Sequence, residues 1–312
     1  MGGSLASLRI GLVGAGKIAQ DQHVPAIAVS DAFELAGVVD PAARLADVES
    51  FPSLSDMLAK ADPAIIVVCT PPQVRYAIAR AALEAGKHVL LEKPPATTVG
   101  ELKDLTDRAR RAGVTLFTAW HSQFAQAVPA AREWVAAHRP RRIKVDWRED
   151  VRRWHPGQQW IWEPGGLGVF DTGINALSIL TMILNEPIFV TSASVDVPEN
   201  RAAPIAATLA LNTVGQVRID AEFDWRHTGT QTWDIAIEAE DGAEMVLSKG
   251  GHRISDGGEA AADALEGEYP AAYRRFAALI AAGESEVDAE PFRVVADAFL
   301  VAERRVTEPF FE

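Results

Sequence analysis

The chain has a single cysteine, Cys69, among 312 residues, so no intrachain disulfide can form and stability has to come from packed cores. Cys69 closes the apolar run Ala64-Ile65-Ile66-Val67-Val68-Cys69, where a thiol is expected to pack as a small buried hydrophobe. Also missing is any apolar run of the roughly 18 residues that a membrane span requires. The first strand-like run begins at about residue 8, which leaves no room ahead of it for an export signal. A reducing cytoplasm is therefore the expected location, without membrane contact. Basic charge is scarce: 30 Lys and Arg stand against 43 Asp and Glu, a formal net charge of −13. Nucleic acid and anionic membranes are recognised through clustered Lys and Arg, and the one short cluster, Arg139-Pro140-Arg141-Arg142, reads as a solvated loop. Repeats and low-complexity tracts are absent, the acidic stretch Gly257–Glu268 reads as a loop, and no metal site is expected.

What is present suits a globular protein of two domains. Apolar residues make up 48 % and charged residues 23 %, which excludes a disordered chain. The length exceeds what one core usually sustains. The expected division is near residue 122, into parts spanning 1–122 and 123–312.

In the first part, short apolar runs alternate with helical stretches. Strands are expected over Leu8–Val13, Phe33–Val39, Ala64–Cys69, His88–Leu91 and Thr115–Ala119, and helices over Val74–Ala85 and Gly100–Ala112, each followed by a glycine. Runs without strict alternation mean strands covered on both faces, hence a parallel, doubly wound sheet of the Rossmann type. The turn Gly14-Ala15-Gly16-Lys17-Ile18-Ala19 follows the first strand and opens a helical stretch, the context that a dinucleotide fingerprint needs. Gly14 permits the tight turn, Gly16 admits the pyrophosphate, and Ala19 lets the helix approach the sheet. Asp40 ends the next apolar run, where a carboxylate accepts from ribose hydroxyls and repels a 2′-phosphate. NAD is the expected cofactor, with Arg44 leaving NADP open. Ligands bind such sheets at the carboxyl ends of the strands. Thr70-Pro71-Pro72, Glu92-Lys93-Pro94 and Trp120-His121-Ser122 all fall there. The candidate cofactor contacts are Gly14, Gly16, Lys17, Ile18, Asp40, Thr70, Pro71, Glu92 and Lys93.

The second part changes character. After a helix (Pro129–Ala137), a charged strand (Arg142–Arg148) and the apolar stretch Leu167–Leu184 come strands over Val190–Val197, Ile205–Leu211, Gln216–Trp225, Trp233–Ala239 and Glu244–Leu247. Val217, Ile219, Ala221 and Phe223 alternate onto one face, which predicts an α+β domain with a predominantly antiparallel, open-faced sheet. Its free face suits a homodimer or homotetramer. Two helices, Ala271–Ala282 and Pro291–Val306, are expected to finish the chain.

The segment Glu149–Gly166 is dense in polar and aromatic groups and poor in core periodicity. Aromatic faces beside carboxylate, amide and imidazole groups match a carbohydrate, whose C–H faces stack while its hydroxyls take directed bonds. Trp154 and His155 read as substrate contacts, and Trp160 and Trp162 as structural. Asp171 and Asn175, four apart at a helix start, share one face. A helix cap is the plainer role for Asp171, but its neighbours favour the active site.

These motifs together resemble the family of glucose-fructose oxidoreductase and inositol dehydrogenase, end to end: GxGxxA, then Glu92-Lys93-Pro94, then a glycine-rich approach to Asp171. Within it, Glu149–Asn175 and Thr118–Ser122 look like the branch of bacterial 1-dehydrogenases of L-arabinose and D-galactose. Many members carry His where Asn175 stands, and the arabinose/galactose branch is itself similar in having Asn. The resemblance implies NAD(P)-dependent oxidation of a pyranose at C1 to the aldonolactone. Lys93, Asp171 and Asn175 would be catalytic. His121, Glu149, Trp154, His155 and Trp233 would bind the sugar. Other sugar or cyclitol dehydrogenases, and a non-catalytic NAD-binding sensor or repressor, use the same fold and are the alternatives.

Overall fold

The structure, a computed structural model, describes residues 7–255 and 267–312. The acidic loop expected over Gly257–Glu268 lies outside these residues except for Gly267 and Glu268. The chain forms two compact units: Met1–Ala119 with Tyr269–Asp288, and Trp120–Glu268 with Ala289–Glu312.

The first unit is built on six strands: β1 (Leu8–Val13), β2 (Phe33–Val39), β3 (Ser50–Phe51), β4 (Ile65–Val68), β5 (His88–Glu92) and β6 (Leu116–Ala119). They pair in the order β3-β2-β1-β4-β5-β6, every pair parallel. β4 and β6 are buried at every position, as continuous apolar runs require when helices cover both faces. Four helices connect the strands: α1 (Val24–Ala28), α2 (Leu54–Lys60), α3 (Pro72–Glu84) and α4 (Val99–Ala112). α3 starts on proline, whose fixed φ suits a first helical position. α4 opens with a capping box between Thr98 and Glu101 and stops at Gly113 in the left-handed conformation.

The expected division at residue 122, with one uninterrupted second part, differs from the observed units. A late helix, Glu268–Ala282, gives all but its first residue to the first unit. Its Phe276 stacks on Phe117 of β6 at 5.7 Å and lies 6.0 Å from Phe33 of β2. Beyond it, Glu286 bonds Leu116 and Thr118 and so extends the sheet past β6. Partners this far apart in sequence leave no local signal.

The second unit contains α5 (Val128–Ala137), β7 (Pro140–Arg148), α6 (Val151–Trp154), α7 (Phe170–Leu184), β8 (Ile188–Pro198), β9 (Ala206–Thr213), β10 (Arg218–Asp224), β11 (Thr232–Ala239), β12 (Glu244–Ser248) and β13 (Arg253–Ile254). After the late helix, which counts as α8, come α9 (Glu290–Val301) and β14 (Ala302–Thr307). The strand order is β13-β12-β11-β7-β10-β9-β8-β14. β7/β10 and β8/β14 are parallel, and the other pairs are antiparallel. Val217, Ile219, Ala221 and Phe223 are all buried, as their alternation predicts. The intervening Arg218, Asp220, Glu222 and Asp224 lie on the opposite face. α7 is buried along most of its length, which accounts for the long apolar stretch.

The helix expected over Pro291–Val306 is corrected. It ends at Val301, and Ala302 turns to an extended backbone. Residues 302–307 then pair with β8 from Ala302↔Ala193 to Thr307↔Pro198. An unpaired sheet edge supplies partners for the backbone groups of this segment, and helical periodicity carries no information about that edge.

Candidate functional site

In the first unit, the glycine turn, Asp40, Thr70 and Lys93 follow β1, β2, β4 and β5, so the parallel sheet brings them to one edge. Strand order reverses between β1 and β4, the switch point where open α/β sheets bind ligands. Gly14 has φ +91°, and a Cβ there would meet the Thr70 nitrogen at 2.8 Å. Glycine is thus required at this position by backbone and packing alike. Gly16 differs, because a Cβ on it would meet nothing within 4 Å. The constraint at Gly16 is not the protein's own, and the open space is what a pyrophosphate needs. Thr70 Oγ1 is buried without a hydrogen-bond partner, a further sign of fit to a ligand.

Asp40 already holds the turn together. Its Oδ2 accepts from Ala15 N at 2.8 Å, and its Oδ1 from Ala42 and Ala43 N at 2.9 and 2.7 Å. Burial pushes its carboxyl up, but these N–H groups and Arg44 more than offset that and lower its pKa. A carboxylate offers about four acceptor sites, so three backbone bonds leave room for a ribose hydroxyl. Arg44 points to the carbonyls of Asp40 and Ala43. Lys17 pairs with Asp21 at the surface, Ile18 and Pro71 are half-buried, and Cys69, expected as fully buried, is half-buried at its strand end.

Lys93 follows β5 and is half-buried. The residue before it is fixed from several directions. The Glu92 carboxylate accepts from Lys93 N at 3.0 Å and from Tyr269 Oη at 2.8 Å, and pairs with His23 Nε2 at 3.0 Å. His23 Nδ1 lies 2.9 Å from Tyr273 Oη. Burial works against the charged imidazole of His23, yet Cys69, Tyr273 and Glu92 together hold its pKa well above 6.5. Glu92 is therefore spoken for by protein groups and secures the start of the Lys93 loop.

The second unit gathers the polar and aromatic residues of Glu149–Gly166. Glu149 leaves the end of β7, bonded through its N to Asp224 O at 3.0 Å, and its side chain is buried. Its Oε2 accepts from the Trp233 indole at 2.8 Å. Its Oε1 has no hydrogen-bond partner and lies 3.5 Å from His155 Nε2. On the other side of the ring, His155 Nδ1 is 3.9 Å from Asp171 Oδ2. An imidazole thus stands between two buried carboxylates, too far from either for a good hydrogen bond. His155 rests on Trp225 with ring centres 5.2 Å apart, and Trp154 meets Trp233 edge-on at 5.3 Å. Polar atoms with unmet hydrogen-bonding capacity, held on aromatic surfaces, are what a polyhydroxylated ligand would satisfy.

Asp171 sits in the first turn of α7. The N-cap position itself is Val169, which has no side-chain cap, and the helix dipole favours a carboxylate two residues further on. Asn175 lies one turn further and is half-buried. The remaining candidate, His121, is buried with its Nδ1 2.5 Å from Glu268 Oε2. The other oxygen of Glu268 lies 2.9 Å from His252 Nε2. Burial alone would raise the Glu268 carboxyl, but the two imidazoles, His121 foremost, bring it down to about 2.

Several supporting residues had no signal in the sequence. Gln231 Oε1 accepts from Asp150 N at 2.7 Å and from the Trp154 indole at 3.1 Å. Glu312 accepts from the Trp162 indole at 2.7 Å and from Gly157 N at 3.2 Å, which gives Trp162 the structural role expected of it. Among the described residues no cluster of metal-binding side chains occurs, and no helix is long and apolar enough to cross a membrane.

The fold and the fingerprint define a class, and comparison with known proteins names it. Residues 8–120 match the model of the oxidoreductase family with an NAD-binding Rossmann fold. The chain is 45 % identical over 306 residues to galactose 1-dehydrogenase of Pseudomonas fluorescens, covering 98 % of this chain and 99 % of that one. It therefore belongs to this oxidoreductase family, that of glucose-fructose oxidoreductase and inositol dehydrogenase. The solved D-galactose-1-dehydrogenase from Rhizobium etli matches at TM-score 0.93 and 46 % identity over the whole of both chains. A 3-ketoreductase from Actinomadura kijaniata, solved with NADP and TDP-benzene, matches at TM-score 0.80 and 17 % identity, over 96 % of this chain and 99 % of that one, and shares the fold alone.

Proposed function

We propose that the protein is an NAD-linked aldose 1-dehydrogenase that oxidises C1 of D-galactose and of L-arabinose to the aldonolactone. The observation that carries this reading is the Glu149–His155–Asp171 row: two buried carboxylates flank one imidazole, with Glu149 Oε1 and His155 Nδ1 lacking hydrogen bonds. The names of the two full-length relatives support galactose. D-galactose and L-arabinose share the arrangement of ring hydroxyls and differ by the exocyclic CH₂OH, so a site that fixes the ring accepts both.

When bound, the nicotinamide accepts the hydride released from C1. The protein's part is to orient the sugar and take the proton that leaves the C1 hydroxyl, so that alcohol and NAD become lactone, NADH and a proton. Lys93 is assigned to that hydroxyl, as base in its neutral form or as a cation beside developing alkoxide. Glu149, His155, Asp171 and Asn175 bind hydroxyls, while Trp154 and Trp233 offer aromatic surface. Asp40 selects NAD over NADP. The open face of the second unit's sheet, with a groove of about 620 Å³ edged by Arg142, Lys144, Asp220 and Glu222, is assigned to a second copy of the chain, to be checked by light scattering.

The decisive experiment measures NADH formation across a panel of aldoses and myo-inositol, with each cofactor. D-galactose and L-arabinose should be the best substrates and D-glucose distinctly poorer, since a hydrogen-bonding group left unpaired at C4 costs about 1–3 kcal/mol. Lys93→Ala should lose about a hundredfold or more in kcat while still binding NAD. If myo-inositol or D-glucose is preferred, or no sugar is oxidised, the reading fails.

A further inference from the structure

Arg75 belongs to no motif, yet it is 3 % exposed and lies in the first turns of α3, behind the sheet edge that carries the cofactor turn. Its guanidinium bonds backbone carbonyls from two different loops. Nη1 donates to Glu92 O at 2.6 Å and to Pro94 O, the carbonyls on either side of Lys93. Nη2 donates to Thr70 O, in the turn after β4. Between these two carbonyl groups the chain runs through Lys93 and Pro94 alone. We propose that Arg75 is a positioning residue: it clamps the backbone on both sides of Lys93, ties that segment to the Thr70 turn, and so sets where the Lys93 amine is held.

This rests on the reading that Lys93 handles the C1 proton. The choice of residue has a physical basis. A guanidinium presents five N–H donors in a rigid plane and cannot lose its charge, so one side chain can span carbonyls of separate loops. A lysine in its place keeps the charge but gathers its donors on one atom and cannot reach all three acceptors. Glu92 is secured independently through its carboxylate by His23 and Tyr269. Loss of Arg75 should therefore loosen the far side of Lys93, at Pro94, more than the near side, and the protein should still fold.

The test is a double-mutant cycle. Arg75→Lys, and Arg75→Gln as a second variant should the first fail to fold, are each made in the wild-type and Lys93→Ala backgrounds. Alone, each should lower kcat about tenfold or more, with KM for the sugar nearly unchanged, because misplacing a reacting group costs turnover. In the Lys93→Ala background neither should lower kcat further, since a residue acting through another loses its effect once that one is gone. A merely structural role would give equal losses in both backgrounds, and that result overturns the proposal. Acylation of the Lys93 amine, followed by peptide mass spectrometry against the exposed Lys103, provides a readout that needs no substrate. Arg75→Gln, which adds no amine, should change the labelling rate of Lys93 and leave that of Lys103 as it was, and an unchanged Lys93 rate overturns the proposal. Wild-type protein that oxidises no sugar overturns the functional reading instead, and labelling still decides for or against Arg75.

Discussion

Replacing Glu149 by glutamine separates binding from stability at a single atom. The carboxylate is 4 % exposed, and its two oxygens do different things. Oε2 accepts from the Trp233 indole at 2.8 Å, a bond that the glutamine carbonyl can keep. Oε1 has no hydrogen bond and is the acceptor assigned to a sugar hydroxyl. In Glu149→Gln this position becomes an NH₂, which donates where an acceptor is needed, and the charge is lost. Hydrogen bonds to charged groups contribute about 1.5–3 kcal/mol, so kcat/KM for D-galactose should fall roughly ten- to 150-fold. NADH affinity, read by fluorescence, should not change, because Glu149 is not among the groups that follow the strands of the parallel sheet. Thermal stability should barely move. Glu149→Ala, in contrast, also strands the Trp233 N–H at about 1–3 kcal/mol, so its Tm should drop by several degrees on top of the same catalytic loss. Glu149→Gln with kcat/KM within twofold of wild type would falsify the assignment of this cluster to the sugar, whatever becomes of the cofactor site.

Gly16→Ala should weaken NADH binding about tenfold or more and leave Tm unchanged, because the new Cβ meets no protein atom within 4 Å and can clash only with the ligand; calorimetric titration reads the first and melting the second. Wild-type kcat/KM should favour NAD over NADP by at least about tenfold, which corresponds to about 1.4 kcal/mol of repulsion, and Asp40→Ser should narrow the gap; equal use of both cofactors by the wild type would refute the role of Asp40. Glu268→Gln should destabilise the protein by about 3–5 kcal/mol at neutral pH, since it leaves two imidazoles without their carboxylate. The folded carboxyl at about 2 lies below its ordinary 4.5, so its contribution is complete above pH 4.5 and is lost as pH falls toward 2. Denaturant titrations of wild type and variant should therefore differ most above pH 4.5 and converge in acid.

The gathering of the glycine turn, Asp40, Thr70 and Lys93 at one sheet edge was legible in the sequence because its parts are local. A glycine turn, a strand-end carboxylate and the residues that close parallel strands each declare themselves within a few positions, and a parallel sheet then has to bring those ends to one edge. The burial alternation of β10 was legible for the same reason, since period-two spacing is set by the strand itself. Tertiary structure decided what depends on partners far along the chain. The return of α8 to the first unit follows from Phe276 packing on Phe117 and Phe33, and β14 forms because β8 offers an open edge. The spacing of Asp171 and Asn175 put them on one helix face, but only the fold sets His155 between Glu149 and Asp171, brings Glu312 under Trp162, and stretches Arg75 across three carbonyls. Such contacts are made by side chains whose neighbours in space are strangers in sequence, and their geometry exists only once the cores have packed.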